Sequence, residues 1–66
     1  MEIKAGQIYK TRDNRKVRVY ATDGDDTKPI HGAVETKYGW VSWSWTKQGK
    51  AYFGEQTFGD DIVELY

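Results

Sequence analysis

The chain of 66 residues contains no cysteine, and it has only one histidine and one proline. Without cysteine it can form no disulfide and no thiolate metal site, and it has no cysteine nucleophile. A single imidazole argues against a zinc or iron site built on histidines. We therefore expect no cofactor and no bound metal, and the lack of disulfides fits a reducing cytoplasm.

An excess of positive charge is also missing, because 10 Lys and Arg balance 10 Asp and Glu. Coating of DNA requires a surplus of cations, so the composition argues against that role. No apolar run approaches the length of a membrane span, and residues 1–10 include no apolar signal core. We expect a soluble protein that is not exported and does not bind membranes.

Aromatic residues are abundant: they make up 15% of a chain that is only 38% hydrophobic. Each buried aromatic side chain removes roughly 150–250 Å² from water, so a few of them can replace many aliphatic residues. The length allows a single domain, 1–66, of marginal stability. Domains of this size usually rely on disulfides, a metal or oligomerisation, and oligomerisation is the route left open here.

Short stretches of alternating apolar and polar residues, separated by Gly, Asp and Asn, indicate β-strands. The predicted strands are 7–11, 15–22, 30–36, 40–46, 51–53 and 61–65. Turns are predicted at 13–14, 37–39 and 47–50, with loops at 23–29 and 54–60. We predict an all-β protein, either a single small antiparallel sheet or an SH3-like, partly open barrel of five to six short strands.

The predicted core combines β-branched residues with one tryptophan. Its members are Val17, Val19, Val34, Val41, Trp43 and Ile62, with Tyr9 and Tyr52 at the edges. Alternation places Val41, Trp43 and Trp45 on one face and Trp40 on the opposite, serine-bearing face. For Trp43 and Trp45 two interpretations stay open: each side chain either fills the core or is exposed. An exposed tryptophan marks an interface or a stacking platform.

A basic cluster surrounds the first predicted hairpin and comprises Arg12, Arg15, Lys16 and Arg18. Arg18 shares a strand face with Tyr20. A guanidinium pairs with phosphate and an aromatic ring stacks on a base, so this combination suits a nucleotide-type ligand. The alternative is a solvated strand face that is balanced by the acidic loop 23–26.

Catalytic and metal motifs are absent from the sequence. His31 has no Ser or Cys partner at a recognisable spacing, so it is either a structural hydrogen-bonding group or a ligand contact. Asp60 and Asp61 are adjacent and would point to opposite faces of a strand. The acidic loop lacks the glutamate that a calcium loop needs at its twelfth position, where Val34 stands. We predict that the protein is not an enzyme.

Several segments resemble small proteins that tailed phages and prophages encode. They are GQIYKTRD at 6–13, VRVYATD at 17–23, PIHGAV at 29–34, GW at 39–40 and DIVEL at 61–65. Those proteins pair a Gly-x-x-Tyr-x-Thr-Arg opening with a terminal Asp-Leu-Val-Glu-like strand. In this chain Asn14 stands where Gly is commoner and Ile62 where Leu is commoner. The resemblance implies a phage protein in the host bacterial cytoplasm, without specifying an activity.

Three binding functions follow from these observations. The first is a homo-oligomer that sequesters a small nucleotide-type signal of host immunity. The second is an inhibitor or adaptor that binds a host protein through an exposed aromatic sheet face, and the third is a single-stranded nucleic-acid binder, against which the zero net charge argues. For the first function, the candidate ligand-binding residues are Arg12, Arg18, Tyr20, His31, Trp40 and Trp45.

Overall fold

The computed structural model describes residues 1–66 and contains five strands in one antiparallel sheet. The strands are β1 (Ile8–Thr11), β2 (Lys16–Ala21), β3 (Ile30–Thr36), β4 (Gly39–Trp45) and β5 (Ile62–Leu65). Their order in the sheet is β4-β3-β2-β1-β5. The predicted all-β class and small antiparallel sheet are confirmed. None of the elements is a helix that is long and apolar enough to cross a membrane.

The predicted strand at 51–53 is wrong, because this segment folds back over the core as a series of bends. The turn before it is closed by a hydrogen bond from the Thr46 amide to the Lys50 carbonyl, 2.9 Å. Ala51 is fully buried, and its amide donates to the Asp61 carboxylate at 2.8 Å. The Asp61 side chain thus accepts the backbone hydrogen bond that a neighbouring strand would accept if 51–53 were a strand.

The core lies on one face of the sheet, where the β4–β5 connection covers it. Its members are Ile3, Tyr9, Val17, Val19, Ile30, Val34, Trp45, Ala51 and Ile62. Tyr9 lies inside this cluster and not at its edge, with 1% of its surface exposed. Its hydroxyl accepts a hydrogen bond from the Lys4 amide at 2.7 Å, so the one polar atom of the ring is satisfied.

Burial in β4 is confined to its C-terminal end, which corrects the predicted depths of three residues. Val41, predicted in the core, is 50% exposed, and Trp43 only packs against the core from its margin. Trp45, in contrast, is fully buried. The reason is that β4 is an edge strand, and only its C-terminal end lies beneath the connection.

A β-bulge interrupts the pairing of β2 with β3. Val19 pairs with Gly32 and Ala21 pairs with His31, so Tyr20 is the additional residue on β2. Gly32 is buried against the backbone of the bulged strand, where a Cβ atom would overlap the carbonyl oxygen of Arg18. The bulge leaves Tyr20 59% exposed.

Candidate ligand site on the outer face

The sheet face opposite the core, called the outer face from this point on, combines cationic and aromatic side chains. Strand pairing aligns its residues in rows, because directly opposite residues share a face. One row joins Ile8, Arg18, Ala33 and Ser42, and the neighbouring rows contain Lys10 with Lys16 and Glu35 with Trp40. Residues from four strands that lie far apart in sequence thus meet on one surface.

The Arg18 guanidinium lies over the Trp40 ring on this face. The guanidinium carbon lies 4.1 Å from the centroid of the indole ring. To reach it, Arg18 crosses the small side chain of Ala33, which is only 2% exposed although it belongs to the outer face. A cation–π contact uses none of the five N–H donors of a guanidinium as a hydrogen bond. Arg18 makes no ion pair, so these donors are available to an anion.

An open groove of about 620 Å³ adjoins this pair. It is lined by Lys10, Asn14, Arg15, Lys16, Glu35, Thr36, Lys37 and Tyr66. Four of these residues are cationic and Glu35 is anionic. Ion pairs occupy Lys10 and Arg15, so Lys16 and Lys37 are the cations of the groove that remain available to a negatively charged ligand. Lys10 pairs with Glu64 at 3.4 Å, whereas Lys16 makes no ion pair and lies 4.7 Å from the centroid of the Tyr66 ring.

Sequence reasoning missed Lys10, Lys37 and Tyr66 as members of this surface. Tyr66 reaches it because β5 pairs with β1, and the Tyr66 amide donates to the Ile8 carbonyl at 3.0 Å. Alternation from Glu64 to Tyr66 is the signal that could have placed the ring on the same face. Lys37 lies in the β3–β4 turn, where residue spacing does not predict which face of the sheet a side chain joins.

Arg12 lies elsewhere and serves the fold. Its guanidinium lies 3.4 Å from the buried carboxylate of Asp61, and its amide donates to the Asp61 carbonyl at 2.8 Å. Arg15 is likewise engaged, because it pairs with both Asp13 and Asp60. The predicted role of Arg12 beside Arg18 therefore does not fit its place in the structure.

Trp45, His31 and Tyr20 do not join the Arg18–Trp40 pair. Trp45 is fully buried and its indole N–H donates to the Asp60 carbonyl at 2.7 Å, so it offers no ring face to a ligand. The His31 Nε2 atom lies 3.2 Å from the Asp25 carboxylate, which makes it a structural hydrogen-bonding group of the loop before β3. Tyr20 is exposed on the bulge. Of the six candidates, the structure brings Arg18 and Trp40 into contact.

The carboxylate of Asp61 holds the β4–β5 connection in place. It is 1% exposed and accepts hydrogen bonds from the amides of Ala51 at 2.8 Å and Phe58 at 3.0 Å. Burial raises its pKa, but those two amides, the charge of Lys50 and the hydrogen bond from Arg12 together outweigh burial. The pKa of Asp61 is therefore held below its ordinary value.

We expect this carboxylate to make the protein sensitive to acid. A group whose pKa is lowered by folding stabilises the native state above its unfolded pKa, and that stabilisation is lost as the pH falls through the folded value. The free energy of unfolding, measured with urea, should therefore decrease below about pH 4. Asp61→Asn should be less stable at pH 7 by about 1–3 kcal/mol, because its amide N–H₂ faces backbone donors.

The matched control is Asp26→Asn, which changes an exposed carboxylate that makes no hydrogen bond or ion pair. It should retain both the stability at pH 7 and the loss at low pH. If Asp61→Asn shows the same stability and the same acid sensitivity as the control, the Asp61 carboxylate does not hold the β4–β5 connection.

The geometry defines a small all-β protein with a cationic and aromatic outer face. No group of three or more His, Cys, Asp or Glu side chains is placed to hold a metal ion. In comparisons with protein families, curated proteins and solved structures, nothing matches this chain.

Proposed function

We propose that this is a phage-encoded binding protein without catalytic activity, which sequesters a small nucleotide-type signal of host immunity in the bacterial cytoplasm. The observation that carries the proposal is the cation–π contact of Arg18 with Trp40 beside a groove rich in lysine. Sequestration needs tight binding alone and no chemical step. The proposal includes self-association, since a domain this small gains stability from additional buried surface.

The ligand phosphate would bind the free edge of the Arg18 guanidinium, with Lys16 as a second cation. Trp40 acts as the platform that orients Arg18, and this differs from the expectation that its ring stacks on the base. Tyr66, which is 64% exposed beside Lys16, offers a ring face to the base. A charged and an aromatic contact thus lie on one side of the sheet, as a nucleotide requires.

Titration calorimetry with Arg18→Ala tests the site. The ligands are a mononucleotide, a linear dinucleotide and a cyclic dinucleotide. We expect one of them to bind the native protein and to bind Arg18→Ala about 10–100-fold more weakly, because a hydrogen bond to a charged group contributes roughly 1.5–3 kcal/mol. Arg18→Lys should recover only part of the affinity, since an ammonium lacks the planar fork.

The control is Lys47→Ala, which removes one exposed positive charge outside the groove. It should bind like the native protein. Equal affinities of Arg18→Ala and Lys47→Ala would show that the ligand binds elsewhere, and failure of the native protein to bind any nucleotide would contradict the proposed function.

A host-protein partner is the second candidate, and one observation favours it. Tyr52 and Phe53 are 41% and 65% exposed in the β4–β5 connection, with the Lys28 ammonium 5.2 and 5.7 Å from their ring centroids. Such a patch suits a protein contact. Single-stranded nucleic acid is the third, and it predicts oligonucleotide binding that weakens steeply with added salt.

A further inference from the structure

The free edge of β4 lacks the features that usually prevent strand pairing between molecules. The strand is seven residues long and contains no charged residue, no proline and no bulge. No backbone hydrogen bond outside the sheet involves the residues from Trp40 to Trp45. Half of the backbone N–H and C=O groups of an edge strand point away from its neighbour, so these groups are open to another strand.

The opposite edge of the sheet is protected. β5 has only four residues, and its pairing with β1 is interrupted by a bulge. The amide of its first residue, Ile62, donates to the Gly49 carbonyl at 2.8 Å. Its exposed side chains include the charged Glu64. The absence of protection is thus confined to β4.

The core is also incomplete at this edge. Val41 belongs to the core face but is 50% exposed, and the indole nitrogen of Trp43 is buried without a hydrogen-bond partner. An open groove of about 450 Å³ is lined by Lys28, Ser42, Trp43, Ser44 and Tyr52. Because consecutive β4 residues from both faces line it, the groove follows the free edge of the strand.

We propose that β4 pairs with the β4 strand of a second copy, so that two sheets join into one. An antiparallel register centred on Ser42 keeps the two core faces on the same side. It places Trp40 opposite Ser44 of the second copy and Val41 opposite Trp43 of the second copy. Each indole then lies opposite a smaller side chain, and the core continues across the interface.

A second copy fits this edge better than a charged partner does, because neither β4 nor the chain as a whole has a net charge. No net charge therefore opposes the approach of two copies. The inference rests on the self-association in the proposed function and not on the nucleotide site. Nucleotide titrations of the same samples separate failure of this contact from failure of that site.

Sedimentation equilibrium at concentrations up to a few hundred micromolar tests the contact. The native protein should have twice the 7.6 kDa mass of the chain. Ser42→Lys and Ser42→Glu should each dissociate at least about tenfold more readily, since the register places like charges opposite each other. An equimolar mixture of these two variants should recover the dimer. Val63→Lys, the control at the other edge, should remain dimeric.

Each outcome decides the proposal. A native protein that is monomeric throughout overturns it, even if nucleotides bind. If the Ser42→Lys dimer is as stable as the Val63→Lys dimer, the contact lies elsewhere, and the proposal is again overturned. A monomeric mixture of the lysine and glutamate variants, both folded by circular dichroism, excludes this register. Recovery of the dimer in the mixture supports the pairing and shows that both variants fold.

Discussion

Trp45→Ala is expected to remove a large part of the free energy of unfolding of the protein. The side chain is fully buried, and its indole N–H donates to the Asp60 carbonyl at 2.7 Å. Loss of a buried tryptophan costs about 3–5 kcal/mol. Per-residue stabilities of globular proteins give a chain of this length a total of about 3–10 kcal/mol. Urea unfolding followed by far-ultraviolet circular dichroism measures the change.

Trp40→Ala is the matched control, because it removes the same side chain from the outer face. Trp40 is 36% exposed and contacts Arg18, so its loss should reduce the free energy of unfolding by about 1–2 kcal/mol, less than the loss of Trp45. Equal unfolding midpoints for the two variants would contradict the assignment of Trp45 to the core and Trp40 to the outer face.

Gly32→Ala is the second substitution with a large expected effect. The added Cβ would overlap the Arg18 carbonyl oxygen and would lie 2.9 Å from the Arg18 carbonyl carbon and 3.1 Å from the Val19 Cα atom. These are backbone atoms of the paired strand, so β2 and β3 would have to separate. We expect a loss of about 3 kcal/mol or more, at the upper end for overpacked sites.

Gly24→Ala provides the control for this substitution. Its Cβ would meet the ring of His31, a partly exposed side chain that can rotate away. It should therefore unfold at nearly the native urea concentration, whereas Gly32→Ala unfolds much earlier. If Gly32→Ala is as stable as Gly24→Ala, the close approach of β2 and β3 at the bulge is not present in solution.

Alternation was sufficient to find β2, β3 and β4, because each has one face in the core and one outside it. It could not give depth: Val41, Trp43 and Trp45 share a face, yet they range from half exposed to fully buried. Depth depends on which part of an edge strand a distant loop covers. The strand predicted at 51–53 is wrong because the path of this segment also depends on a distant residue. The Asp61 carboxylate accepts the hydrogen bond of the Ala51 amide.

The candidate site depends on the register between strands. The spacing of residues within one strand does not predict that register. The sequence placed Arg18 and Trp40 on faces of their own strands, but their contact follows from the alignment of β2, β3 and β4. The alternation of apolar and polar residues in β2 does not predict the bulge at Tyr20 either. Proximity in sequence predicts that Arg12 acts beside Arg18, whereas in the structure Arg12 pairs with Asp61.

The ion pair between Arg12 and Asp61 joins positions that are 49 residues apart in the chain. The β1–β2 and β3–β4 hairpins close over short turns, whereas β5 must return to β1 across the rest of the sheet. Closing a long loop costs conformational entropy before the contacts it permits can form. Folding should accordingly begin with the local hairpins and finish with the docking of β5. The contacts that keep the core covered are then the last to form.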